Sequence, residues 1–158
     1  MNGPAIEIQW GVPPESILEV RQRNLYPDKP LVHAEAIRPF VENPTAICVA
    51  AVEGNQFIGC AAVMEDFLEG KLLRIRWLGV DESRRGQRVG TALIQRIQEH
   101  ARKQDEAIWC NVRLRAIPMY ERLGFQIEVG KFEIAGVGPH VRMVWQPSKS
   151  PPQARVGN

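Results

Sequence analysis

Arg84, Arg85 and Arg88 crowd one short segment with Gly86 between them and Gly90 just beyond, and the segment runs straight into a helix-patterned stretch. Guanidinium groups stay charged at any working pH, and the first amides of a helix have no intrahelical acceptor. Together they suit an anion, a phosphate above all. No Ser, Thr, Asp or Asn immediately precedes Val89 to cap those amides, which leaves them to an outside acceptor. The same residues also suit a plain solvated turn with a glycine for the bend. A nucleotide-hydrolase phosphate loop is disfavoured, because the stretch from Gly86 to Thr91 is too short for that motif and holds no lysine.

Other side chains able to do chemistry are scattered. Arg74 and Arg76 are two apart, so on a strand both project to one side, where they could hold a ligand carboxylate or make cross-strand ion pairs. His140 lies in a Gly/Pro turn and either lines a pocket or satisfies its own loop, while His33 and His100 have no partners at a recognisable spacing. Cys48, Cys60 and Cys110 are widely spaced in apolar surroundings with no CxxC pair. They read as reduced core thiols, with neither a disulfide framework nor a metal site.

The elements that must position these groups follow from hydrophobic spacing. Val89, Ala92, Leu93, Ile97 and Ala101 form one helical face, with Gln95, Arg96, Gln98 and Glu99 on the other, so a helix is predicted from Val89 to about Lys103. The apolar runs 71–80 before it and 107–112 after it predict strands, and strand, loop, helix and strand make a βαβ crossover with the loop at the first strand's C-terminal end. Ligands bind at that end of open α/β sheets.

Upstream, Ile6, Ile8 and Trp10 alternate as a strand that Gly11 stops, and Pro13 and Pro14 open a helix to Asn24. Residues 31–43 have helical spacing interrupted by Pro39, leaving short helix and wrapping loop both open. The runs 45–52 and 56–64, joined by Glu53, Gly54 and Asn55, predict a hairpin buried on both faces, followed by a loop at 65–70. Gly79 near the end of the next strand is expected to mark a bulge or the close approach of another backbone or ligand. A short helix over 116–123, stopped by Gly124, precedes two closing strands, the last with Val141, Met143 and Trp145 on one face.

Length and charge bound the reading. At 158 residues, 44% hydrophobic and 24% charged, the chain supports one domain, expected over 1–146, with a proline-rich disordered tail at 147–158. The net charge is only +2, so positive charge is local, and a small anionic ligand fits better than nucleic acid. No segment has the apolar length of a membrane span or an export signal, and a cytoplasmic location is expected.

Two segments carry a family resemblance. Arg85, Gly86, Gln87, Arg88, Val89 and Gly90 resemble the GNAT N-acetyltransferase fingerprint, in which an Arg or Gln is followed after two residues by Gly and, after one more residue, by Gly or Ala at a helix start; Arg88 stands where the family usually has glycine. In 115–125, Ala116, Tyr120, Leu123, Gly124 and Phe125 match the family's second motif, while Arg113 replaces an asparagine often found before the tyrosine. The ending 132–143 is also similar to the closing strands of small bacterial members.

The resemblance implies a single α/β domain with a mixed sheet of six to seven strands, helices on both faces and a splayed βαβ cofactor cleft. It implies acetyl-CoA as co-substrate and no metal, with the pyrophosphate on the amides of Gln87, Arg88, Val89, Gly90 and Thr91. Leu78, Val80, Arg85, Gly86, Asn111, Arg113, Ala116 and Tyr120 complete the cofactor lining. The pantetheine arm would lie between the two βαβ strands, a backbone amide near Val80 would stabilise the oxyanion, and Tyr120 would protonate the departing thiolate. The base is open among Glu35, Glu65, Asp66, Asp81, Glu82 and a water chain. The expected partner is an amine-bearing acceptor, with no nucleic acid or membrane, the protein being a monomer or homodimer. A non-catalytic acyl-CoA-binding module is the alternative.

Overall fold

The computed structural model describes residues 3–148. Seven strands form one mixed sheet in the order β1-β2-β3-β4-β5-β7-β6. They are β1 (Ile6–Val12), β2 (Ile47–Glu53), β3 (Gln56–Leu68), β4 (Lys71–Val80), β5 (Ile108–Arg113), β6 (Gln126–Ile134) and β7 (Gly138–Trp145). The helices are α1 (Leu18–Leu25), α2 (His33–Glu42), α3 (Val89–Gln104) and α4 (Ile117–Arg122). Only β4 and β5 pair in parallel; the other neighbours are antiparallel.

Two cores result, one on each face of the sheet. On one, α3 and α4 bury Leu93, Ile94, Ile97 and Tyr120 against Ala61, Val63, Ile75, Val112 and Met143. On the other, α1 and α2 bury Ile17, Val20 and Phe40 against Cys48, Cys60, Met64 and Trp77. Each fully buried aliphatic side chain here is worth roughly 1.5–3 kcal/mol of transfer free energy. The expected sheet with helices on both faces is present, and β2 and the first part of β3 are buried on both sides, as their unbroken apolar runs predicted.

Several local expectations are corrected. Gly11 does not end the first strand; with φ +77° it sits where the register shifts between Trp10 and Val12, and β1 continues to Val12. Residues 33–42 are a helix despite Pro39, because burial of Ala36 and Phe40 offsets the one hydrogen bond that proline cannot donate. The predicted loop at 65–70 shrinks to a turn at Glu69 and Gly70, since β3 runs on to Leu68. Gln98, placed on the polar side of α3, is 3% exposed, and its Nε2 donates to the Leu123 carbonyl at 2.8 Å, closing the end of α4.

The bulge in β4 lies at Trp77, not Gly79. Trp77 has φ +59°, and between the pairs Cys60↔Gly79 and Ala62↔Arg76 the strand gains one residue over β3. The extra residue inverts the side-chain phase: Leu73 and Ile75 face α3, whereas Trp77 is delivered to the α1/α2 core. Gly79 serves a different purpose, since a Cβ there would lie 3.2 Å from Cβ of Asn24, and its absence lets α1 rest against β4.

Candidate active site

The β4–β5 ladder stops early. Its only paired positions are Leu73↔Ile108 and Arg74↔Trp109, so from Ile75 onward the two strands diverge. The opening continues into a cleft of about 710 Å³ that reaches the start of α3 and is bordered by α1, α4 and the β6–β7 turn. Asp81 donates its amide to the Ile58 carbonyl at 2.8 Å; by the alternation of an antiparallel ladder, Val80 therefore turns its own N–H and C=O away from β3 and into this cleft. The Val80 carbonyl receives Nε of Arg85 at 3.2 Å.

At the far end, Arg88 is the residue before α3 and adopts a left-handed conformation, φ +65° and ψ 21°. No side chain caps the helix. The Arg88 carbonyl accepts from Ala92, so the amides of Val89, Gly90 and Thr91 are left without intrahelical acceptors. This geometry explains why glycine suits position 88 and what the arginine costs, about 1–2 kcal/mol of backbone strain. Gly90 is required for a different reason: a Cβ there would meet the Met119 sulfur at 3.2 Å and narrow the cleft beside α4.

The loop arginines divide their labour. Arg84 is ion-paired with Glu53 at the end of β2, Arg85 folds back on the strand end, and the Arg88 side chain makes no hydrogen bond or ion pair among the described residues. Leu78, Val80, Arg85, Gly86, Arg88, Val89, Gly90, Thr91, Asn111, Arg113, Ala116 and Tyr120 all line the cleft. Gln87 does not; its amide reaches the Ser83 carbonyl at 3.4 Å.

Tyr120 is 4% exposed, and its ring meets Phe125 edge-on at 5.0 Å. Burial holds its phenol well above the ordinary value, and the hydroxyl makes no hydrogen bond among the described residues, so it remains a proton donor facing the cleft. The three cysteines are free and buried, with the Cys48 and Cys60 thiols pushed up to about 12 by burial, which removes them as nucleophiles.

None of the five carboxylates considered as base lines the cleft, nor does any other Asp or Glu among the described residues. Asp66 is held by Arg74 at 3.0 Å. Asp81 is clamped by Arg23 at 2.9 Å and by Asn24 at 2.7 Å, which ties the end of β4 to α1. His140 does line the cleft: it is 5% exposed, and Nδ1 sits 2.8 Å from the Gly138 carbonyl. A carbonyl accepts only, so Nδ1 carries a proton, and in the neutral ring the lone pair is then on Nε2.

Arg21, Leu25 and Tyr26 were missed as neighbours of this site. Arg21 offered a signal, a charged residue set within the apolar stripe of Ile17, Leu18 and Leu25, and it is 5% exposed. Leu25 and Tyr26 end α1 and border the cleft only because Gly79 lets that helix come close.

The splayed parallel pair leading to an uncapped helix start belongs to a mixed α/β fold that comparison with known proteins places in a family. Residues 13–125 match the acetyltransferase (GNAT) family, and the chain belongs to that family. The uncharacterised N-acetyltransferase YitI of Bacillus subtilis is 34% identical over 77 residues, 48% of this chain; the match spans 51% of that relative's length. Among solved structures, an aminoglycoside 6'-N-acetyltransferase complexed with coenzyme A superposes with a TM-score of 0.68 at 19% identity, covering 87% of this chain and 92% of the other. The ribosomal-protein-S18-alanine N-acetyltransferase of Escherichia coli gives 0.69 at 17% identity, covering 94% and 97%. Among the described residues, no group of His, Cys, Asp or Glu could hold a metal, and no helix is long and apolar enough to cross a membrane.

Proposed function

We propose that the protein is an acetyl-CoA-dependent N-acetyltransferase that acts on a primary amine. The observation that carries this reading is the loss of β4–β5 pairing beyond Arg74↔Trp109, which leaves unpaired backbone edges leading to three uncapped amides of α3. An extended amide-bearing arm fits the first and a pyrophosphate the second. Family membership and the coenzyme A complex of the aminoglycoside enzyme support the same ligand.

Acetyl-CoA supplies an acyl thioester whose carbonyl is open to direct attack by an amine. The amides of Val89, Gly90 and Thr91 bind the pyrophosphate, helped by the helix dipole and by Arg88. The inward-facing N–H of Val80 stabilises negative charge on the thioester oxygen. Tyr120 donates a proton to the leaving sulfur, which needs only a weak acid because an ordinary thiol titrates at about 8.5. His140, through Nε2 or an intervening water, takes the proton that the acceptor ammonium must lose; it replaces the absent carboxylate as base.

Calorimetry with acetyl-CoA, followed by thiol release in the presence of a mixed amine panel, tests the reading. Binding with thiol release is the expected result. Binding without release to any amine would favour a non-catalytic acyl-CoA-binding module, and no binding would overturn the assignment of the cleft.

A further inference from the structure

Resting on the acetyltransferase reading, the chemistry of the acceptor can be narrowed from the face of the sheet opposite α3. Leu73 and Ile75 of β4, Cys110 and Val112 of β5, and Val141 and Met143 of β7 all point into the α3 core. The alternate residues therefore share the other face, and four of them are arginines: Arg74, Arg76, Arg113 and Arg142. Arg74 is answered by Asp66 at 3.0 Å and Arg142 by Glu128 at 3.1 Å. Arg76 and Arg113 have no carboxylate partner among the described residues, and these two line the cleft.

Their settings show positive charge gathered without an answer. The Arg76 guanidinium makes no hydrogen bond or ion pair among the described residues and rests on the Trp77 ring at 4.2 Å. A second guanidinium, Arg21, lies on the same ring at 4.8 Å. Arg21 is 5% exposed; its Nη2 donates to the Ala36 carbonyl at 3.2 Å, while Nε and Nη1 have no partner. Burial lowers the proton affinity of both Arg76 and Arg21, and at Arg76 the neighbouring Arg74 adds to this while the charge of Asp66 opposes it only in part. Arg113 reaches from β5 to the Leu25 carbonyl at 3.2 Å, so its guanidinium spans the splay, and His140 is its register partner on β7. Holding such cations half-buried beside a cleft without acidic residues is unfavourable until an anion arrives.

We propose that the acceptor is an amine bearing a free carboxylate, as in an α-amino acid, with Arg76 and Arg113 binding the carboxylate while the amine faces His140. The loop arginines do not supply this function, because Arg84 is paired with Glu53 and Arg85 and Arg88 sit at the α3 end. The bulge at Trp77 turns an indole that would otherwise face α3 toward Arg76 and Arg21.

The experiment compares free amino acids with their C-terminal carboxamides as acceptors, pair by pair, by thiol release from acetyl-CoA. In the same preparations, calorimetry measures binding of N-acetyl amino acids to the coenzyme A-loaded protein. The free acids should be preferred in kcat/KM by on the order of 10- to 100-fold, the value of a hydrogen-bonded charge. Arg76→Gln should remove most of that preference without weakening acetyl-CoA binding, and Arg76→Lys should keep part of it. Equal use of acids and amides would overturn the proposal while leaving the acetyltransferase reading intact. If no amine is turned over, binding of N-acetyl amino acids that Arg76→Gln abolishes would still support it, and no binding of any of them would sink it.

Discussion

The two ends of the cleft use arginine differently. At the α3 end, three arginines and two glycines fall within seven consecutive residues, and the groups proposed to hold the ligand are mainly backbone amides whose direction is set by one helix start. At the β-strand end, Arg76, Arg113 and His140 come from three strands, and their convergence depends on a splay, a bulge and the insertion of β7 between β5 and β6. The first arrangement suits a ligand common to a whole family and tolerates exchange of side chains. The second is assembled from side chains and suits whatever is particular to this protein.

If that division holds, substitutions at the strand end should change turnover and leave acetyl-CoA affinity alone. His140→Ala is expected to have the largest effect, lowering kcat about 1,000-fold with acetyl-CoA affinity retained. Steady-state kinetics with calorimetry would check both, and an equal loss of acetyl-CoA affinity would mean that the two ends are not separable. Tyr120→Phe should come next, with kcat reduced about 100-fold because the leaving thiolate loses its donor while the buried ring is retained. An unchanged rate across pH would remove Tyr120 from the mechanism.

Smaller effects probe how the ends are held. Burial alone would raise the Asp81 carboxyl, but its bonds from Arg23 and Asn24 outweigh this and hold it below the ordinary range. With the folded-state value depressed, the stabilisation is complete above the unfolded carboxylate range near about 3.9 and is lost as pH falls through the folded value. Asp81→Ala should therefore cost about 1–2 kcal/mol in urea unfolding at neutral pH and less in acid. Arg88→Gly should do the reverse, raising stability by roughly 0.5–1 kcal/mol as left-handed strain is relieved against the added chain entropy. Its acetyl-CoA affinity should fall only slightly, and the difference should vanish at high salt. A large loss would mean that the Arg88 side chain, and not the amides, holds the pyrophosphate.

Legibility followed the same division. The βαβ unit, the anion loop and α3 could be read almost residue by residue, because helical spacing and an uncapped start are local properties. Glycine at position 79 permits either a bulge or close approach, and only the packing of α1 shows that close approach applies. The left-handed Trp77 had no local sign, since an indole favours ordinary strand geometry and is held otherwise by the second core. Pro39 likewise argued against α2 until burial of its apolar side was visible.

By itself, the sequence determined the fold class, the family resemblance and nearly every side chain at the α3 end of the cleft, because those depend on residues adjacent in the chain. Residues 149–158, expected as a tail, lie outside the described residues. Tertiary structure alone decided which strands splay, that no carboxylate among the described residues enters the cleft, and that Arg76 and Arg113, on the sheet face shared with His140, have no carboxylate partner among the described residues. Those facts concern pairs of residues dozens of positions apart, and which charges neutralise one another depends on distances that only packing sets.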